Sequence, residues 1–219
     1  MPGNFNVPRL YTYLRTLHRI IKASCHIKFN EAQAILAGDG IQAMAIELIC
    51  SEEFEVKAEA KVELIKNLCA STGIKGMVLG QSLDMQSSSN LDSLKLLEEI
   101  QELKTGKLIE LSCLMPIIIS DDMSSKDKGK IINLSKLLGK IYQITDDILD
   151  ASSNEKELGK TCGKDKEDEK ATYLSLMSLE EAKKINEKLF NQTNNELDNI
   201  TGNTEILKKL VDKIYKRKF

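Results

Sequence analysis

The amino-acid sequence predicts an all-α fold; composition, periodicity and the scarcity of helix breakers all point that way. Only 3 prolines and 12 glycines occur in 219 residues, while Leu, Lys, Glu and Ala, which lose little on entering a helix, recur throughout. Apolar residues return at intervals of three and four, the spacing that gathers side chains on one side of a helix. With 42% hydrophobic residues the chain can bury one sizeable core. No repeat, low-complexity tract or linker divides it, so residues 25–219 are expected to form a single helical domain. Residues 1–24 stand apart: MPGNFNVPRLYTYLRTLHRIIKAS is basic and aromatic, as close to a basic amphipathic presequence as to a folded element.

Ile27 to Ile49 is small and apolar almost all the way round, the pattern of a helix buried among others. Glu55 to Ala70 sets Val62, Ile65, Leu68 and Cys69 against Lys61, Glu63 and Lys66, which predicts a peripheral amphipathic helix. Ser71 to Met85 holds three glycines in a helical pattern; each costs about 1 kcal/mol against alanine, a cost that close approach of another helix would offset. Leu94, Leu97, Ile100 and Leu103 mark a long helix from Leu91 to Leu114, with Pro116 near its break. Ile131, Leu134, Leu138, Thr145 and Ile148 mark another amphipathic helix. A charged loop follows from Ala151 to Lys170, then helices over about 178–199 and 204–218.

Composition excludes several classes. Basic residues (31) nearly balance acidic ones (33), so no global field draws the chain to nucleic acid or an anionic membrane. The longest uncharged apolar run, Leu114 to Ile119, is too short to cross a bilayer, and no membrane span is expected. Cys25, Cys50, Cys69, Cys113 and Cys162 are odd in number and scattered without CxxC spacing, against a disulfide framework or a zinc site. A reducing, cytoplasmic setting fits.

The sharpest cluster is QITDDILD, in which Gln143, Asp146, Asp147 and Asp150 stand at i, i+3, i+4 and i+7 on one helical face. Three carboxylates on one strip repel one another and invite a cation, and hard oxygen ligands suit magnesium, which would bring a substrate phosphate with it. Spacing alone leaves a solvated acidic face equally open. Lys104 and Lys107 in LKTGKLI, Lys160 in LGK and Lys170 in KATY could supply point charges for phosphate oxygens, although each taken singly reads as a surface charge. His26 and Lys28 in CHIKF could bind phosphate, or cap or pack a helix. Gly38 and Asp39 in LAGDG suit close packing with a buried hydrogen bond, and Gln81 and Asp84 in GQSLDM a structural polar contact.

In this order, the segments CHIKFNEAQAILAGDGIQ, GMVLGQSLDM, KTGKLI, QITDDILD and LGKTCGKDKEDEKATY resemble consecutive motifs of the trans-polyprenyl diphosphate synthase family, the bacterial farnesyl and geranylgeranyl diphosphate synthases. The resemblance covers the chain from about Cys25 to its end. It implies an all-α isoprenoid-synthase bundle around a central cavity. It further implies a prenyltransferase of isoprenoid biosynthesis that condenses an allylic diphosphate with isopentenyl diphosphate. Asp146, Asp147 and Asp150 would bind Mg2+, with Gln143 beside them, and Lys104, Thr105, Lys160 and Lys170 would contact the allylic diphosphate. Lys104, Asp146 and Asp147 would be the catalytic set. Pairing as a homodimer or with a related synthase is also implied.

The family's first DDxxD motif and its two following arginines precede the segment matching Cys25 and His26. Here those positions read TYLRTLHRIIKAS, and no carboxylate side chain occurs before Glu31. The first helices of the bundle are therefore expected to be missing. Two alternatives stand beside the enzyme: a noncatalytic subunit paired with a complete synthase, and a terpene cyclase, against which the lysine-rich LGK and KATY motifs weigh. A truncated or frame-disrupted start predicts a DDxxD in the upstream DNA translated in all frames; a search of that DNA checks it, and no such motif in any frame counts against the expectation.

Overall fold

A computed structural model describes residues 25–87, 93–120, 123–157 and 171–217, and all regular structure among them is helical. They fall into two compact units, one ending at Asn67 and one running from Leu68 to Phe219.

In the first unit, helix α1 (Cys25–Phe29) leads through Asn30 into α2 (Glu31–Cys50), which packs on it. Asn30 has φ 89°, a left-handed conformation that asparagine tolerates better than most residues. Its side-chain oxygen accepts from the Gln33 amide at 3.0 Å and so caps α2. His26 and Lys28 lie on α1, with the Lys28 ammonium 5.0 Å from the Phe29 ring centroid.

The burial expected of α2 is not observed: only Ala34, Gly38 and Ile49 are buried, while Leu36, Met44 and Leu48 are each more than 60% exposed. An apolar circumference records what a helix tolerates around it, and says nothing of what is present to cover it. Gly38 is buried as expected, but Asp39, for which LAGDG suggested a buried hydrogen bond, is exposed. At 20 residues, α2 has the length and apolarity of a membrane crossing, a test that core helices of soluble proteins also pass.

Helix α3 (Ala58–Thr72) spans the boundary between the units; it buries Leu64, while Val62 and Cys69 of the expected apolar side are exposed. The helical pattern of Ser71 to Met85 is broken by a turn at 73–76, after which α4 (Met77–Gln86) begins. Two of its three glycines, Gly73 and Gly76, occupy the turn, where a Cβ would strike the Cys69 and Ser71 carbonyl oxygens. The third, Gly80, lies in α4, and a Cβ there would stand 2.3 Å from the Lys104 backbone nitrogen. Close approach of another helix is thus what the glycine permits.

The next helix is continuous but irregular. After a Ser93 cap, α5 (Leu94–Gln101) passes into a π-helical segment (Glu102–Gly106) and then α6 (Lys107–Ile119). It runs through Pro116 and ends at Ser120, beyond the break expected from the proline. Helix α7 (Ser125–Glu157) is the longest. It continues six residues past Ala151, where a loop was expected; no glycine or proline interrupts ASSNEKE, and Glu and Lys extend helices readily. A short turn, α8 (Tyr173–Leu176), precedes α9 (Leu179–Asp198) and α10 (Glu205–Tyr215).

Within the second unit, α7 is the central strut, touching α5, the π segment, α6, α8, α9 and α10. Leu97, Ile100, Ile144, Tyr173 and Ala182 form one core cluster, and Leu134, Leu138, Leu197 and Val211 another. Each buried leucine or isoleucine contributes about 1.5–3 kcal/mol relative to exposure. A Ser178–Glu181 capping box fixes the start of α9. The buried amide of Asn186 donates to Thr145 Oγ1 at 2.9 Å and ties α9 to α7 one residue before the acidic pair.

Gly80→Ala should lower stability by about 1–3 kcal/mol through backbone overlap. Gly129→Ala on α7, where a Cβ meets nothing within 4 Å, should raise it by about 0.5–1 kcal/mol. Urea unfolding of the two variants checks both.

Candidate active site

Two segments meet at the candidate site, the π segment and the middle of α7. A π turn holds one residue more than an α turn and is found mostly as single turns, frequently at functional sites. Here it carries Lys104 and Thr105. Gly106 faces Gly139 of α7, where even a Cβ on Gly139 would come to 3.3 Å of the Gly106 Cα. That approach lets side chains bridge the two helices directly.

The bridge is a hydrogen-bonded chain. The buried Thr105 hydroxyl donates to Gln143 Oε1 at 3.1 Å, and the Gln143 amide donates to Asp147 Oδ1 at 3.2 Å. The other carboxylate oxygen of Asp147 accepts from the Tyr173 backbone N–H at 2.8 Å. Asp147 is 8% exposed. Burial pushes its pKa up to about 6 and the neighbouring charges of Asp146 and Asp150 add to the rise, while the hydrogen bonds from Tyr173 and Gln143 oppose it.

Lys104 is held on the other side of the π segment. Its ammonium pairs with Asp84 of α4, both side chains being largely buried. Asp84 therefore makes the structural polar contact expected of GQSLDM and orients Lys104, whereas Gln81 Oε1 is buried without a hydrogen-bond partner among the described residues. The ammonium of Lys107 lies 2.8 Å from Glu110 and 3.6 Å from Glu102, so its charge is balanced locally. Lys160 and Lys170 lie outside the described residues.

The acidic face is not a ready-made cage. Among the described residues, no group of three or more His, Cys, Asp and Glu side chains is arranged to hold a metal ion. Asp147 turns inward to its hydrogen bonds, and Asp146 Oδ1 accepts from Arg217 at 2.6 Å. Asp146 is 42% exposed at its side chain and Asp150 is exposed. These two carboxylates, four residues apart on α7, fit a hard cation that takes one or two protein carboxylates and fills its other positions with water and phosphate. The void lined by Gln143 and Tyr173, about 100 Å3, is too small for an extended ligand.

Sequence reasoning missed two partners of the cluster. Tyr173 contributes a backbone N–H, which no side-chain pattern reports, although it closes the KATY motif. Arg217 does leave a signal: it is the only arginine after Arg19.

Known proteins resemble this chain over most of its length. The family model for polyprenyl synthetase matches residues 19–214. The farnesyl diphosphate synthase of Haemophilus influenzae is 36% identical over 184 residues, 84% of this chain and 62% of that protein. That of Bacillus subtilis is 40% identical over 163 residues, 74% of this chain and 55% of that protein. The chain thus spans less than two thirds of the length of these relatives. Among solved structures, a geranyltransferase from Helicobacter pylori, complexed with magnesium and isoprenyl diphosphate, is similar with a TM-score of 0.72 and 28% identity. The match covers 96% of this chain and 73% of that one.

The raised pKa of Asp147 has a definite sign. Its carboxyl is more easily protonated in the fold than at its ordinary 3.8, so its stabilising contribution is full below about pH 4 and is lost as pH rises through about 6. In metal-free buffer, the stability of the wild type relative to Asp147→Asn should fall by on the order of 3 kcal/mol between pH 4 and pH 7. Urea unfolding across that range measures it; a flat difference would show that burial does not govern this carboxylate.

Proposed function

Since the chain belongs to the polyprenyl synthetase family, we propose that it is a magnesium-dependent prenyltransferase of isoprenoid biosynthesis, joining an allylic diphosphate to isopentenyl diphosphate. The observation that carries the reading is the chain from Thr105 through Gln143 to Asp147, which joins the Lys-Thr pair of the π segment to the acidic face of α7. Lysine for phosphate and carboxylate for metal then share one wall. The H. pylori relative, complexed with magnesium and isoprenyl diphosphate, supports the same pairing of ligands.

In this chemistry the allylic C–O bond breaks heterolytically and its electron pair leaves with diphosphate. The double bond of isopentenyl diphosphate attacks the resulting carbocation, and loss of a proton restores an alkene in the lengthened prenyl diphosphate. Magnesium held by Asp146 and Asp150 would supply positive charge to the leaving group. Lys104, aimed by Asp84, offers its ammonium to the same phosphate oxygens, as do Lys160 and Lys170. Asp147 acts from behind: its two hydrogen bonds fix Gln143 and the rotation of α7, which would hold Asp146 and Asp150 on the side that a metal would occupy. A cytoplasmic setting and pairing with a second copy or a related synthase belong to this reading. The exposed Leu36, Met44 and Leu48 of α2 are the kind of surface that pairing covers.

The test is incorporation of labelled isopentenyl diphosphate into hydrophobic product by the purified chain with geranyl diphosphate and magnesium. The wild type should form product and Asp146→Ala should lose about 100-fold or more. Equal magnesium-dependent binding of geranyl diphosphate by the two would overturn the site assignment.

A further inference from the structure

Arg217 follows α10 and reaches Asp146 across 71 residues of sequence, with a guanidinium nitrogen 2.6 Å from Oδ1. The same guanidinium lies over the Tyr142 ring, 4.6 Å from its centroid. Tyr142 and Asp146 are one turn apart on α7, so a single planar group stacks on one and donates to the other, a combination that a lysine ammonium does not reproduce. The arm that presents it is anchored: Val211 of α10 is buried in the cluster with Leu134, Leu138 and Leu197, and Tyr215 stacks on Phe190 at 4.3 Å. Arg217 is the only arginine after Arg19, and its guanidinium sits on an acidic-face carboxylate.

We propose that Arg217 is a built-in counterion of Asp146 that exchanges with the divalent cation: the guanidinium neutralises the carboxylate while the site is empty, and metal entry displaces it. The inference rests on the reading of Asp146 as a metal ligand. Both groups need the same carboxylate oxygens, and a guanidinium donating at 2.6 Å leaves no space for a cation at Oδ1. The arginine therefore weakens the site's affinity for metal, and occupancy of the site is communicated to the C-terminal arm through release of the Tyr142 stack.

Isothermal titration of magnesium chloride into the metal-free chain, with Arg217→Gln, Arg217→Lys and Asp146→Asn beside the wild type, tests the exchange. The pair is partly exposed, so its loss is modest: Arg217→Gln should bind magnesium about two- to ten-fold more tightly, with Arg217→Lys between it and the wild type. In the wild type, the side-chain Nε–Hε resonance of Arg217, assigned by its absence from Arg217→Gln, should move with the same midpoint as the binding heat. Unchanged or weaker magnesium binding in Arg217→Gln, or an Arg217 resonance that does not move at saturation, overturns the exchange and leaves the proposed function standing. If Asp146→Asn binds magnesium as well as the wild type, or no variant binds it, the metal reading itself fails.

Discussion

A carboxylate cannot be buried without partners, and the satisfaction of Asp147 is the constraint on which the site depends. Its two oxygens take hydrogen bonds from Gln143 and from the backbone of Tyr173, so one side chain joins two turns of α7 to the segment that begins at Ala171. Gln143 in turn is fixed by Thr105. A rotation of α7 by one position would break all of these at once and bare Ile144 and Leu138 to water. The apolar core and the polar chain therefore select the same register, which is the agreement between levels that gives a sequence a single structure.

The fold was legible where periodicity was strong and local. The helices after Leu94 follow from their apolar spacing, and Gly80 was readable as a place where backbones touch. What composition could not report was company: α2 has the circumference of a buried helix, yet Leu36 and Met44 are exposed. Helix ends also escaped, because Pro116 is tolerated inside α6 and nothing in ASSNEKE stops α7.

The candidate site was legible as a set of residue types and illegible as a set of roles. Spacing placed Asp146, Asp147 and Asp150 on one strip. That Asp147 faces inward while Asp146 faces out depends on Tyr173 and Arg217, both brought to α7 by tertiary packing from beyond it in sequence. The π segment was likewise hidden, since one extra residue in a turn leaves the apolar pattern almost unchanged.

That extra residue makes the helix from Leu94 to Ile119 sensitive to length as well as to identity. A π turn is an α-helix with one residue inserted, so loss of a single residue between Glu102 and Gly106 would let the α hydrogen bonds close while α5 and α6 kept nearly the same faces toward their neighbours. The wide turn that carries Lys104 and Thr105 to Asp84 and Gln143 would be lost, though the helices on either side still packed. The inserted residue thus serves the site more than the fold: its removal would spare the scaffold and undo the wall.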